Sequence, residues 1–258
     1  MRKDTISVIL NVYKRPHTLE PQIQAIKNQS IKIKSEDIHV WYNSIEFNEN
    51  DRIQHLKDYN QEFPIDENIN WYDCSWNTKF YGRFTIPLLL DTEYVLFIDD
   101  DILIGSEWLM NCLTSFKEKP GIYGGSGVIL QNRDKYSPNI KVGWNGSHFD
   151  TTTEVDLVGH SIFLKTEWIK YFWLQESYTR DNGEDIHLSY ALQKHLGIKI
   201  YVPKHPENNK TLWSCDPDFG FNYGNDKNAT WLHVKNHNNI RDEIVKNYVS
   251  DGWKLVNF

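Results

Sequence analysis

The most constraining feature of this chain is a run of five apolar residues, 94–98, that stops at three consecutive acids, Asp99-Asp100-Asp101. An unbroken apolar run of that length reads as a strand buried on both faces, and such strands belong to parallel sheets covered by helices. Ligands of open α/β sheets bind at the carboxyl ends of strands, so the acids fall where a site would form. Neighbouring carboxylates repel one another unless a cation sits among them. Mg²⁺ and Mn²⁺ favour a few carboxylates plus phosphate oxygens. If the acids continue the extended strand, Asp99 and Asp101 share one site and Asp100 faces elsewhere. The bland alternative is an acidic surface turn. An EF-hand loop fits poorly: counting from Asp100, Gly105 falls in place, but Ile102 and Ile104 occupy ligand positions and Asn111 stands where a bidentate Glu is needed.

The segments before the acids complete a strand–helix–strand unit. Residues 6–10 read as a buried strand and 11–16 as a loop. A helix capped by Thr18 follows, with Leu19, Ile23 and Ile26 on one face, and residues 38–42 form a second strand ending at Asn43. That order predicts a parallel sheet. Helices are expected at 51–59, 84–90 and 107–116, with a short strand at 69–72. Beyond the acids, strands are expected at 122–131, 140–148, 154–164 and 199–202. Helices are expected at 184–196, closed by Gly197, and at 238–249. No repeat or Ser/Gly linker interrupts the 258 residues, which suit one α/β domain.

Bulk properties narrow the function. The net charge of −7 argues against a nucleic-acid binder, which usually carries a basic face. The opening apolar run is short and leads into Asn11 and Lys14, so it reads as neither a signal peptide nor a membrane span. Cys74, Cys112 and Cys215 lie far apart with no zinc spacing and cannot all pair with one another, so reduced, cytoplasmic thiols are expected. Three triplets match the glycosylation acceptor pattern, starting at Asn145, Asn209 and Asn228, and carry little weight without a secretory signal.

Taken in order, several segments resemble the GT-A glycosyltransferases, in family 2-like and exostosin-like (N-acetylhexosaminyltransferase-type) form. Residues 6–15, ISVILNVYKR, resemble the first strand and the loop that holds the nucleotide. Tyr42-Asn43 resembles the strand end that touches the base, and 77–83, NTKFYGR, the segment over the donor. Residues 95–101, VLFIDDD, resemble the metal motif and 156–164, DLVGHSIFL, the strand lining the acceptor side. Residues 182–186, NGEDI, resemble the acidic motif at a helix start, and His233, His237 and Arg241 the family's tail. Residues 131–153 and 207–228 match no part of the pattern.

The resemblance implies a GT-A (Rossmann-like) mixed sheet flanked by helices in one domain. Residues 1–101 would be the nucleotide-sugar half and 102–258 the acceptor-binding and catalytic half. It implies transfer of a hexosyl, pentosyl or N-acetylhexosaminyl group from a nucleotide sugar, a UDP-sugar above all, to a glycan or other hydroxyl acceptor. Mn²⁺ or Mg²⁺ would be held by Asp101 and Asp99, with His233 completing the shell, and would act as Lewis acid on the leaving diphosphate. Asn11, Tyr13, Arg15, Asn43, Asn77, Arg83, Asp99, Asp100 and Arg241 would contact the donor, the arginines because a planar fork suits phosphate oxygens. Asp185, with Glu184 beside it, would be the general base of an inverting enzyme or steady the transition state of a retaining one. Each has a plainer alternative: surface charge for the arginines, dipole-favoured acids for the pair, and a solvated face for the tail. His160, inside an apolar strand, is either a satisfied core residue or an acceptor contact. Two rival functions are a metal-dependent phosphohydrolase with Asp99 as nucleophile and an inactive glycan-binding module of the same fold.

Overall fold

The computed structural model describes residues 1–43, 68–144, 147–227, 229, 232 and 236–258. The expected helix at 51–59, His233, Asn145 and Asn228 lie outside them. Among the described residues, nine strands form one sheet. β1 (Arg2–Val12), β2 (Ile38–Tyr42), β3 (Asn70–Asp73) and β4 (Thr92–Ile98) run parallel, in the spatial order β3-β2-β1-β4. The sheet continues through β8 (Leu157–Lys165), antiparallel to β4, then β5 (Ile122–Leu130), β9 (Ile200–Val202) and β7 (Thr153–Val155), with β6 (Asn139–Val142) on β5. The sheet is therefore mixed, parallel in its first half and largely antiparallel in its second.

Strand alternation divides the core. Val8, Leu10, Leu96 and Ile98 face one cluster, shared with α1 (Leu19–Lys27) and α2 (Trp108–Glu118). Ile9, Val95 and Phe97 face the other, shared with the 3-10 run Gly82–Leu89, α3 (Ile169–Leu174) and α4 (Glu184–Leu196). Both faces of β1 and β4 are thus buried, which is why their apolar runs do not alternate. A third cluster packs α4 against α6 (His237–Ser250).

Several expected elements differ in detail. Pro87 sits inside the stretch expected as α-helix at 84–90, and the chain takes the tighter 3-10 form there. The strand expected at 154–164 is divided into β7 and β8. Between them the Asp156 carboxylate accepts from the Leu130 and Val256 N–H groups, both at 2.7 Å. The strand expected at 140–148 stops at Val142, before Gly143 turns with φ 87°. Thr18 holds the N-cap position of α1, but its hydroxyl donates to the Arg15 carbonyl at 2.7 Å and makes no cap bond. One further helix, α5 (Pro217–Gly224), falls in the segment that matched no pattern. Asp216 caps it by accepting from the Phe219 N–H at 3.0 Å, and Pro217 opens it.

Candidate active site

The acid triplet follows the last residue of β4. The chain turns there: the Ile102 N–H donates to the Asp99 carbonyl at 3.2 Å. Gln22, on the buried face of α1, donates to the carbonyls of Asp99 and Ile102, both at 2.7 Å. Because the acids lie in a turn, the alternation of an extended strand does not apply, and each carboxylate meets a different environment.

Asp99 pairs with the guanidinium of Arg83, which is 4% exposed. Asp100 pairs with Arg15 Nη1 at 2.7 Å. The rest of the Arg15 fork clasps Asp226, Nη2 at 2.7 Å and Nε at 3.0 Å. Asp101 has no ion pair among the described residues. Burial, with Asp100 and Asp99 beside it, raises its pKa to about 7. Burial likewise raises Asp100 to about 6, against the pull of Arg15. Gly224, at the end of α5, lies so near that a Cβ there would stand 3.3 Å from Asp101 Oδ2. Glycine lets the end of α5 come this near the carboxylate without crowding it.

A second pair of acids comes from α4. Gly183, its N-cap, has φ 77°, a conformation that glycine adopts without strain. A side chain at that position would also meet Ile244 at 2.5 Å. Asp185 pairs with Arg241 Nη2 at 2.6 Å, and its other oxygen accepts from the Ile186 N–H at 2.8 Å. Arg241 also donates to Asn182 at 3.3 Å and stacks over Tyr136 at 4.2 Å. Glu184 has no ion-pair partner among the described residues. Burial first, and then Asp185, raises its pKa to about 8, while Arg83 and Arg241 pull the other way. Glu184 thus lies within electrostatic reach of Arg83, Arg241 and Asp99. Arg83 Nε and Arg241 Nε are buried without hydrogen-bond partners among the described residues. Two buried cationic donors left open at one locus suit a polar ligand.

The other expected donor contacts line the ends of β1 and β2. Asn11 is half-buried near the end of β1, in register with Trp41. Tyr13 accepts from Asn77 Nδ2 at 3.3 Å. Asn43 is 3% exposed, and its amide is spent on the loop that follows β3. It donates to Asn77 at 3.0 Å and to the Lys79 carbonyl at 3.1 Å, and accepts from the Thr78 N–H at 2.9 Å. In this geometry Asn43 shapes the loop. His237 starts α6 and meets Asn182 at 3.1 Å.

His160 has φ 65°, a left-handed conformation costing a non-glycine residue about 1–3 kcal/mol. It sits in β8 where the β4 pairing ends, and its carbonyl accepts from the Asp99 N–H at 2.9 Å. The sequence points to neither Gln22 nor Asp226 as part of the site. Gln22 is visible as a polar residue on the apolar stripe 19, 23, 26 of α1, whereas Asp226 lies where no periodicity or motif marks it.

The chain is one mixed α/β domain with helices flanking the sheet, a fold similar to that of solved structures. The TarS fragment 1–349 of S. aureus in complex with UDP matches it over 78% of this chain and 58% of that one, with 16% identity and a TM-score of 0.51. TarS 1–349 in another structure matches 78% of this chain and 60% of that one, at 15% identity and a TM-score of 0.49. The chain thus spans less than two thirds of either. No protein-family model and no curated protein matches the sequence.

Proposed function

We propose that this protein is a glycosyltransferase that takes a nucleotide sugar, a UDP-sugar first among them, at the carboxyl ends of β1, β2 and β4. The observation that carries this is the convergence of two buried arginines, three turn carboxylates and the Glu184-Asp185 pair at one edge of the sheet. The fold shared with the UDP complex of TarS supports a nucleoside diphosphate there. Arg15 and Arg83 bind the diphosphate, since their forks give fixed positive charge that costs no reorganisation as the leaving group forms. Asn11 and Tyr13 border the nucleoside, and Asn43 and Asn77 hold the loop beside it.

A divalent cation fits this donor set: among the described residues Asp101 is the one carboxylate of the three without an arginine, and it is half-buried. Such ions bind through one or two carboxylates completed by substrate phosphates. Asp101, with Asp99, would hold Mn²⁺ or Mg²⁺, which supplies neutralising charge to a departing diphosphate. Asp185, held in orientation by Arg241, accepts the proton of the acceptor hydroxyl. Glu184, protonated near neutral pH, donates a hydrogen bond beside it. Two carboxyls whose surroundings push their protonation apart divide the work in this way.

The test is a calorimetric titration of UDP, GDP, CMP and dTDP with Mn²⁺ present. Saturable UDP binding that outcompetes the others supports the reading. Absence of binding by all four overturns it.

A further inference from the structure

We propose that His160, backed by Trp144, reads the sugar being transferred. The inference rests on the glycosyltransferase reading and adds a specificity residue to it. Three observations place His160 in that role. Its backbone is held at φ 65° inside a strand, a conformation kept only where surrounding structure over-determines it, and such outliers gather at functional sites. That conformation coincides with the end of the β4–β8 ladder, where the His160 carbonyl takes the Asp99 N–H at 2.9 Å. The backbone of His160 is therefore fixed next to the first acid of the triplet, and Asp99 lies within electrostatic reach of the imidazole. Finally, His160 Nδ1 is buried without a hydrogen-bond partner among the described residues. A buried polar atom of that kind is costly unless something else satisfies it.

The surroundings fit a sugar ring. Trp144 meets the imidazole edge-on at 4.9 Å between ring centroids. Phe221 of α5, 46% exposed, packs on Trp144 at 5.6 Å. A Cβ built at Gly159, the residue before His160, would meet nothing within 4 Å, so the space beside this stretch is open. Aromatic groups around one oriented ring nitrogen offer apolar contact for a pyranose face and one directed hydrogen bond for a hydroxyl or acetamido group. A hydrogen bond of this type discriminates strongly, because the wrong epimer leaves the buried atom unpaired.

The experiment measures binding of UDP, UDP-glucose, UDP-galactose, UDP-N-acetylglucosamine and UDP-N-acetylgalactosamine, with Mn²⁺, to wild type, His160→Gly and His160→Asn. Glycine accepts φ 65° freely and so keeps the fold, and asparagine tolerates that conformation while retaining a polar group. Wild type is expected to favour one sugar over its epimer by about 10-fold or more. In His160→Gly that ratio is expected to collapse with UDP affinity unchanged, and in His160→Asn to recover in part. An unchanged ratio in the glycine variant, or no discrimination by wild type, overturns the role of His160. Loss of UDP binding in wild type instead overturns the donor site itself, and this proposal with it. Equal loss of UDP and UDP-sugar binding in His160→Gly assigns the residue to structure alone and also refutes the proposal.

Discussion

Arg15→Lys is the substitution that probes the electrostatic frame of the site most sharply. Arg15 is 5% exposed and makes three charge-assisted bonds, one to Asp100 and two to Asp226, at 2.7, 2.7 and 3.0 Å. Those bonds tie the loop after β1 to the turn after β4 and to the segment after α5. Lysine keeps the charge but concentrates it at one point, so it cannot serve Asp100 and clasp Asp226 bidentately together. One acid is then left poorly compensated in a mostly buried site, and breaking such a pair costs about 3–5 kcal/mol. For a chain of this size that corresponds to a fall in Tm of about 6–20 °C. Differential scanning calorimetry reads it directly. The companion variant Asp226→Asn removes one of the competing acids, so the double variant is expected to recover part of the loss. UDP affinity is expected to drop about 10-fold or more in Arg15→Lys, as one charge-assisted bond to phosphate is lost. A Tm within about 2 °C of wild type, with additive effects in the double variant, would refute the claim that this fork holds the site together.

Three other substitutions test separate parts of the mechanism. UDP with Mn²⁺ at 100 times its Kd is expected to stabilise wild type by about 2.7 kcal/mol, read as a thermal shift of about 5–10 °C, and Asp101→Asn is expected to abolish the Mn²⁺-dependent part of that shift. Retention of the metal-dependent shift would remove Asp101 from the cation site. Asp185→Asn is expected to bind UDP as wild type does while sugar transfer falls about 100-fold or more, and undiminished turnover would show that Asp185 is not the base. Glu184→Gln addresses pH. Folding raises the Glu184 pKa from 4.5 to about 8, so between those values the folded chain holds a proton that the unfolded chain has released. Wild-type stability gained from this group is therefore greatest at low pH and is lost as pH rises towards 8. Urea unfolding at pH 5.5 and 8 is expected to show a smaller decline in the Gln variant; an equal decline would mean that Glu184 does not titrate as described.

The parts of this fold legible in the sequence are those set by burial. β1 and β4 are wrapped by helices on both faces, so their unbroken apolar runs are enough to mark two strands of a parallel sheet. The glycines at 183 and 197 mark the two ends of α4, because both adopt left-handed φ. The acids are legible as a group, but their separate environments are not. Whether Asp99-Asp100-Asp101 continues the strand or turns depends on Gln22, seventy-seven residues away from Asp99 in sequence, reaching two carbonyls. Likewise nothing in the local pattern tells that Asp226 crosses to Arg15, since 211 residues separate them. The division of β7 from β8 follows from Asp156 bonding two distant backbone N–H groups, again a tertiary matter. Site residues on regular elements are readable from spacing; those that complete the site from loops are not, because long-range hydrogen bonds leave no periodic trace.

On the function proposed above, the edge formed by β1, β2, β4 and the start of α4 is a nucleotide-sugar site. Hydrogen–deuterium exchange of the full chain, with and without UDP and Mn²⁺, tests it most directly. Ligand-dependent protection is expected in peptides covering residues 11–18, 76–86 and 98–104. No protection anywhere, or protection confined to residues outside these three segments, would contradict it.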